Sequence, residues 1–330
     1  MKPIRTLCGS DQLCPFRNLA VAAVSQSQDA LLGDYRAQLY LFRSNEPAPV
    51  PVGRTGSGPG EYHAVIAAGF DEAGVLLFDA EERRVVRFDS ASRPSLTASI
   101  DLPPPAIFGI RVAGGRSFAL SIPPGANGKV KAGLYTIAPD SKPTAVGFFD
   151  ITPLTSSSGD LLPIRPFFEP KPAWAVTGSQ YGFSDGNRFD ITLVHGPGRT
   201  TRIVADVPPV PISDSDIKAR RDEALGPGLS PMMRGQLERQ LREAVKRTGK
   251  VFPEVTDLVF LGESHIAVRG AAPPTSREVR WDLLTVDGQL VGYVILASGL
   301  RIVGGSLQSV LIVGEGADDE PTARWYALAT

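Results

Sequence analysis

Short apolar runs broken by turn residues organise this chain; long amphipathic stretches do not. The clearest runs are ALLGD at 30–34, VLLFD at 75–79, FALS at 118–121, YGFS at 181–184, HIAVR at 265–269 and VLIV at 310–313. Runs of four or five residues, rich in branched and aromatic side chains and bounded by Gly, Asp or Ser, favour strands over helices. Their starts lie 45, 43, 63, 84 and 45 residues apart. Three spacings share one period, and each of the other two contains a visible insertion.

Around each anchor the pattern predicts four strands. In the second unit they are 63–70, 75–79, 85–89 and 96–102, separated by stretches such as DEAG at 71–74. The first unit repeats this at 19–24, 30–34, 38–43 and 49–53, and the third at 110–112, 118–122, 133–138 and 144–149. The sixth ends at 323–328. A repeat of about 40–50 residues with four short strands is the signature of a propeller blade. Six such units can close into a ring that shields most sheet edges. The expected fold is therefore all-β, a six-bladed β-propeller filling residues 1–330 as one domain. Closure requires one blade to be shared between the chain ends. Residues 1–13 either add an outer strand to the last blade or fray.

One stretch breaks the β pattern. Residues 213–248 read as a helical hairpin inserted between blades four and five. Ser213 is a candidate N-cap for a helix to about Leu225, and Gly226-Pro-Gly228 breaks it. Ser230 then caps a second helix with Pro231 at its first position, where the missing N–H costs nothing. Met233, Leu237, Leu241 and Ala244/Val245 share one face of that helix. The hairpin either packs on the propeller or serves as a lid or docking element. The other insertion, 150–173, is rich in Ser and Pro and reads as a long loop.

Composition narrows the class. Gly 34 and Pro 29 suit turn-rich β structure, and 42% hydrophobic residues suffice for a core. A net charge of −1 argues against a protein whose main task is holding nucleic acid. No apolar run reaches the roughly 18 residues of a spanning helix. The N-terminus, MKPIRTLC, lacks the apolar stretch of a secretory signal, so the chain is expected to be cytoplasmic or to lack its export segment. Cys8 and Cys14 have no nearby His to complete a zinc site and are either a local disulfide or two thiols. A monomer is expected.

The segment GRTGSGPGEY at 53–62, followed by an apolar strand and the Leu-Phe-Asp of 77–79, resembles the bacterial six-bladed β-propeller family, akin to the NHL-repeat propellers. RPFF at 165–168, FPEV at 252–255 and WDLLTVDGQLVG at 281–292 support the resemblance. It implies a fold and export to the periplasm or beyond, and no particular reaction. Physically, the Gly-Pro-Gly segment reads as the turn from one blade's outer strand to the next blade's inner strand. No Gly-Lys-Ser/Thr follows it, so it is not a phosphate cradle.

Catalytic signals are weak. His63, His195 and His265 lie far apart, and there is no nucleophile elbow. No catalytic residue, metal ligand or cofactor is assigned. Propeller ligands sit at the mouth of the central channel, where the inner strands begin. The residues expected there are Arg17, Glu61, Tyr62, Arg111, Lys171, Trp174, Glu254 and Arg301. Four cations against two opposed carboxylates make a poor calcium site, which wants six to eight oxygens, and predict a positive mouth. The expected function is non-catalytic binding of a protein, peptide, glycan or small anionic ligand. The alternative is a propeller hydrolase or lyase acting on a small molecule in the channel.

Overall fold

The computed structural model describes residues 2–9, 14–17, 19–34, 36, 38–102, 107–122, 130–139, 141–151, 166–196, 198–226, 228–316 and 320–328. Most of the Ser/Pro-rich insertion, including Arg165, and Pro227 of the helix-breaking turn lie outside the described residues. So do the side chains of Ile107 and Phe108.

Strand β1 (Pro3–Cys8) opens the chain. Blade one follows as β2 (Val21–Val24), β3 (Ala30–Gly33), β4 (Leu39–Phe42) and β5 (Val50–Val52). A short parallel pair, β6 (Arg54–Thr55) and β7 (Glu61–Tyr62), leads into blade two, β8 (Val65–Asp71), β9 (Gly74–Asp79), β10 (Arg84–Asp89) and β11 (Pro94–Ser99). Blade three is β12 (Ile107–Ala113), β13 (Arg116–Ser121), β14 (Val130–Ile137) and β15 (Thr144–Ile151). Blade four is β16 (Ala173–Val176), β17 (Tyr181–Ser184), β18 (Asp190–Val194) and β19 (Thr200–Val204). Helices α1 (Asp214–Ala224) and α2 (Pro231–Arg247) intervene before blade five, β20 (Asp257–Leu261), β21 (His265–Arg269), β22 (Glu278–Thr285) and β23 (Leu290–Ala297). The last sheet is β24 (Leu300–Gly305), β25 (Ser309–Glu315) and β26 (Pro321–Ala327), with β1 as its outer strand. The fold is thus a six-bladed β-propeller, and the N-terminal strand closes it.

The anchor runs owe their unbroken apolarity to their position. Each is the second strand of its blade, with both faces pressed between neighbouring blades, so alternation is lost. Every residue of β3 is buried, as are five of the six in β9. The core is correspondingly a ring of inter-blade layers. Leu31 and Leu41 of blade one pack with Leu77 and Val86 of blade two. Leu7, Leu311 and Trp325 of blade six pack with Leu32 and Phe42 of blade one. The six inner strands β2, β8, β12, β16, β20 and β24 each touch the next around the circle. They enclose a central channel with a cavity of about 910 Å³.

The Gly-Pro-Gly segment is the turn between blades one and two. Gly53 (φ 62°) and Gly60 (φ 75°) are left-handed, and a Cβ on either would lie within 2.8 Å of another residue's atoms. What fastens the turn is Arg84 of β10. Its guanidinium donates to the carbonyls of Gly56, Ser57 and Glu61, and it pairs at 3.4 Å with the fully buried Asp79. Asp79 in turn accepts from the N–H groups of His63 and Ala64.

Both helix starts are capped as their sequences suggest. Ser213 accepts from the N–H of Asp216 in a reciprocal capping box, and Ser230 accepts from that of Met233. The apolar face of α2 is shorter than its periodicity implies. Leu241 and Ala244 are buried, whereas Met233 is 58% exposed. From Leu237 onward α2 packs in the hydrophobic cluster built on Phe167, Phe168 and Leu225.

Candidate functional site

The eight residues expected at the channel mouth divide by their distance from the true strand starts. Arg111, Trp174 and Arg301 lie within inner strands β12, β16 and β24. Arg17, Glu61, Tyr62, Lys171 and Glu254 precede their inner strands by two to four residues and sit in the approaching segments.

In those segments the side chains meet other partners. Glu61 accepts from the Gly58 N–H at 2.8 Å and pairs with Arg54, contacts that hold its carboxyl below the usual range. Tyr62 is fully buried; its hydroxyl accepts from the Leu39 N–H and donates to the Val52 carbonyl, each at 3.0 Å. It therefore offers no flat surface beside a ligand. Glu254 accepts from the Phe189 N–H at 2.7 Å. Arg17 and Lys171 are exposed.

The three inner-strand residues converge with two more. From blade three, Arg111 reaches Asp257 at the start of β20 in blade five, with N–O 3.3 Å. On the way it lies 5.3 Å from the ring centroid of Trp174 in blade four. Trp174 is itself buried, so its indole is a platform for the guanidinium. Gly109 on β12 leaves room for that ring, since a Cβ there would approach it to 3.3 Å. Arg269 is the cross-strand partner of Asp257 and donates to the Ser298 carbonyl. Arg301 completes the group from blade six, within electrostatic reach of Asp257, Arg111 and Arg269.

One guanidinium, Arg111, thus pairs with Asp257, and two more, Arg269 and Arg301, lie within electrostatic reach of the same carboxylate, which also accepts from the Leu258 N–H. Burial lowers the pKa of Arg301; Asp257 opposes this, and Arg111 and Arg269 add to it. Burial likewise lowers Arg269 against the pull of Asp257. Guanidiniums start so far above neutrality that Arg269 and Arg301 stay charged despite these shifts. Among the described residues, no hydrogen bond or ion pair engages the Arg301 guanidinium. Arg111 and Arg301 both face the channel cavity.

Asp257 and Arg269 escaped the sequence reading. FPEV at 252–255 looks like the start of the blade-five inner strand, but Pro253 and Glu254 belong to its approach. The available signal was Asp257 itself, a lone carboxylate directly before the apolar run LVFL.

A second grouping resembles a hydrolytic site and fails on geometry. In the Gly-Pro-Gly turn, Ser57 Oγ lies 3.0 Å from His63 Nε2 and 3.2 Å from Glu82 Oε1. One hydroxyl proton cannot serve both. If Ser57 donates to Glu82, the His63 nitrogen must be the donor and is no base for the serine. In a working relay the acid holds the opposite ring nitrogen, but Glu82 approaches the same one, at 3.7 Å. Among the described residues no group of three or more His, Cys, Asp or Glu is placed to hold a metal ion.

No protein-family model matches the chain. Nor does any curated protein match its sequence. Solved structures share its fold. A member of the DUF4221 family from Bacteroides vulgatus aligns with TM-score 0.55 at 10% identity, over 95% of this chain and 93% of its own. A Bacteroides fragilis protein thought to be exported aligns with TM-score 0.51 at 12% identity, over 98% and 94%. The WD40 repeats of RRP9 align with TM-score 0.50 at 11% identity, over 99% and 98%. At these identities the likeness is one of fold: the architecture is that of bacterial β-propeller proteins, and it is equally at home in a WD40 protein.

Proposed function

We propose that this protein is a non-catalytic binding propeller that takes an anionic ligand into its central channel, at the end lined by Arg111 and Arg301. The observation that carries this reading is that Arg111 and Arg301 both face the channel cavity while the carboxylate nearest them, Asp257, pairs with Arg111 alone among the described residues and has Arg269 and Arg301 within electrostatic reach. A channel with low-dielectric walls focuses such an excess of positive charge. A carboxylate or phosphate can be gripped by two guanidinium N–H groups at once. Arg111 is already oriented by the Trp174 indole, which lowers the entropy lost on binding.

Calorimetric titration with inorganic phosphate and with citrate tests it. Binding of at least one anion is expected, weakening as salt rises because exposed charges are screened over about 10 Å at 0.1 M. The Arg111→Ala/Arg301→Ala double variant should lose that binding. Asp257→Asn should strengthen it, since the resident carboxylate competes for the same guanidiniums. If neither anion binds, or the double variant binds as well as the parent, the reading is wrong.

Export is part of the same proposal. Cys8 and Cys14 form a disulfide with Cα atoms 4.8 Å apart, and such bonds persist in oxidising compartments. Two thiols should titrate in the denatured protein after reduction and none before it.

A further inference from the structure

The outer strand of a propeller blade is a sheet edge with one row of backbone groups unpaired. Proteins usually blunt such edges with proline, charge or brevity. Five of the six edges here do so. β5 is three residues long and contains Pro51; β11 begins with Pro94; β1 contains Pro3 and Arg5. β15 carries Asp150, and β19 carries Arg202.

The edge of blade five has none of these devices. β23 is eight residues long, reads LVGYVILA and is the terminal strand of its sheet. Leu290, Val291, Tyr293 and Ile295 are each at least half exposed. A bulge lies where β23 begins, between the pairs Leu283–Gly292 and Leu284–Leu290, so the regular part runs from Gly292 onward. On the neighbouring strand Arg280 stacks over Tyr293 at 4.4 Å and pairs with Asp282. The cation beside the edge is thus already neutralised, and Tyr293 is held in place.

We infer that β23 is a self-association edge, pairing antiparallel with β23 of a second copy about a two-fold axis. Three features favour a second copy over another partner. The strand carries no charge, so it would select neither an acidic nor a basic segment, and its own image sets no like charges opposite each other. An antiparallel two-fold pairing is closed, using the same patch on both chains. Its area also suits a reversible dimer. The four exposed side chains offer on the order of 400 Å² per chain, the size at which a patch on a monomer often serves an interface. Edge pairing covers the flank of these side chains that faces the partner strand, together with the strand backbones, which gives a contact at or below the low end of specific interfaces, as suits a weak, reversible dimer. The resulting eight-stranded sheet replaces the monomer expected from sequence with a concentration-dependent dimer.

Sedimentation velocity on the full chain, from about 1 to 200 µM, tests this. The expected result is a monomer–dimer equilibrium within that range. Tyr293→Lys and Ile295→Lys, made separately, should each weaken it at least about tenfold by setting like charges near the two-fold axis. Each should keep the parent's circular-dichroism spectrum. If Ile295→Lys does not fold, Tyr293→Lys alone decides. A monomer throughout the range overturns the inference, as does a dimer untouched by the lysines. Growth beyond the dimer would mean an open rather than a closed contact, and a monomer whose edge captures an apolar peptide would mean a different partner; both overturn it.

Discussion

At the scale of single residues, the clearest stability prediction concerns Tyr62. Burial pushes its phenol up to about 12, while an unfolded tyrosine titrates near 10. Between those values the unfolded chain has released the proton and the folded chain has not. The contribution of Tyr62 is therefore complete below about pH 10 and is lost as the pH rises toward 12. Two units correspond to about 2–3 kcal/mol. Tyr62→Phe should remove that dependence and cost about 1–3 kcal/mol at neutral pH. The Leu39 N–H and the Val52 carbonyl would each lose their bond to the phenol, while the Val52 carbonyl would keep the Gln38 amide. Urea denaturation of both proteins at pH 7, 10 and 11.5 measures this; equal pH slopes would refute it. The same residue shows where sequence reading stops. Tyr62 stands beside the turn motif, and an aromatic before an inner strand reads as a rim residue. The carbonyl and amide that capture its hydroxyl come from blade one, 10 and 23 residues away, and no local pattern reveals them. Arg111 and Arg301 were legible because the β period places them inside their strands. Asp257 was not, because a three-residue error in one strand start hides it.

At the scale of elements, the blades could be read off the sequence because each middle strand is buried on both faces and stays apolar throughout. The helices were legible from their caps, Ser213 and Ser230. What the helices touch was not, because that contact joins the two insertions. Phe167, 46 residues ahead of Ser213, sits in the cluster with Leu225, Leu241 and Ala244, and its N–H donates to Thr248. Phe168 packs on Phe252 at 4.7 Å. On the other side, buried Asp216 accepts from Thr275 of blade five. Burial alone would raise the carboxyl of Asp216, but hydrogen bonds from Ser213 and Thr275 outweigh it and lower the pKa. The hairpin's ends are nonetheless held together independently of its helices. Pro211 and Val251 form an antiparallel bridge, and the Ile212 N–H donates to the Lys250 carbonyl. Replacing residues 213–248 by a short Gly/Ser linker should therefore leave a cooperatively unfolding propeller, since blades contact mainly their neighbours. Newly exposed Phe167 and Phe168 should lower its solubility. Calorimetry of the replaced chain would show a single transition; loss of that transition would place the hairpin in the folding core.

At the scale of the whole molecule, stability hangs on a closure that joins the two ends of the chain. Without β1 the ring would still hold six inner strands, but β26 would become an open edge bearing Trp325 and Tyr326. β1 does more than cover it. Leu7 and Cys8 are buried in the layer between blades six and one, and Arg5 donates to the Arg43 and Glu46 carbonyls of blade one. Full burial of an aliphatic side chain is worth about 1.5–3 kcal/mol, and leaving the layer open adds the loss of packing against Trp325. Deleting residues 1–8 should therefore cost on the order of 3–5 kcal/mol, against a typical total of about 5–15. The truncated protein should unfold at markedly lower urea concentration and aggregate through its exposed edge. A synthetic peptide of residues 1–8, added in excess, should recover part of the loss by adding a strand to β26, because backbone pairing supplies affinity in strand addition. If the truncated chain unfolds at the same midpoint as the parent, the ring does not depend on its N-terminal strand. If the peptide has no effect while truncation does, the loss comes from the covalent tie between the ends and not from the strand's contacts.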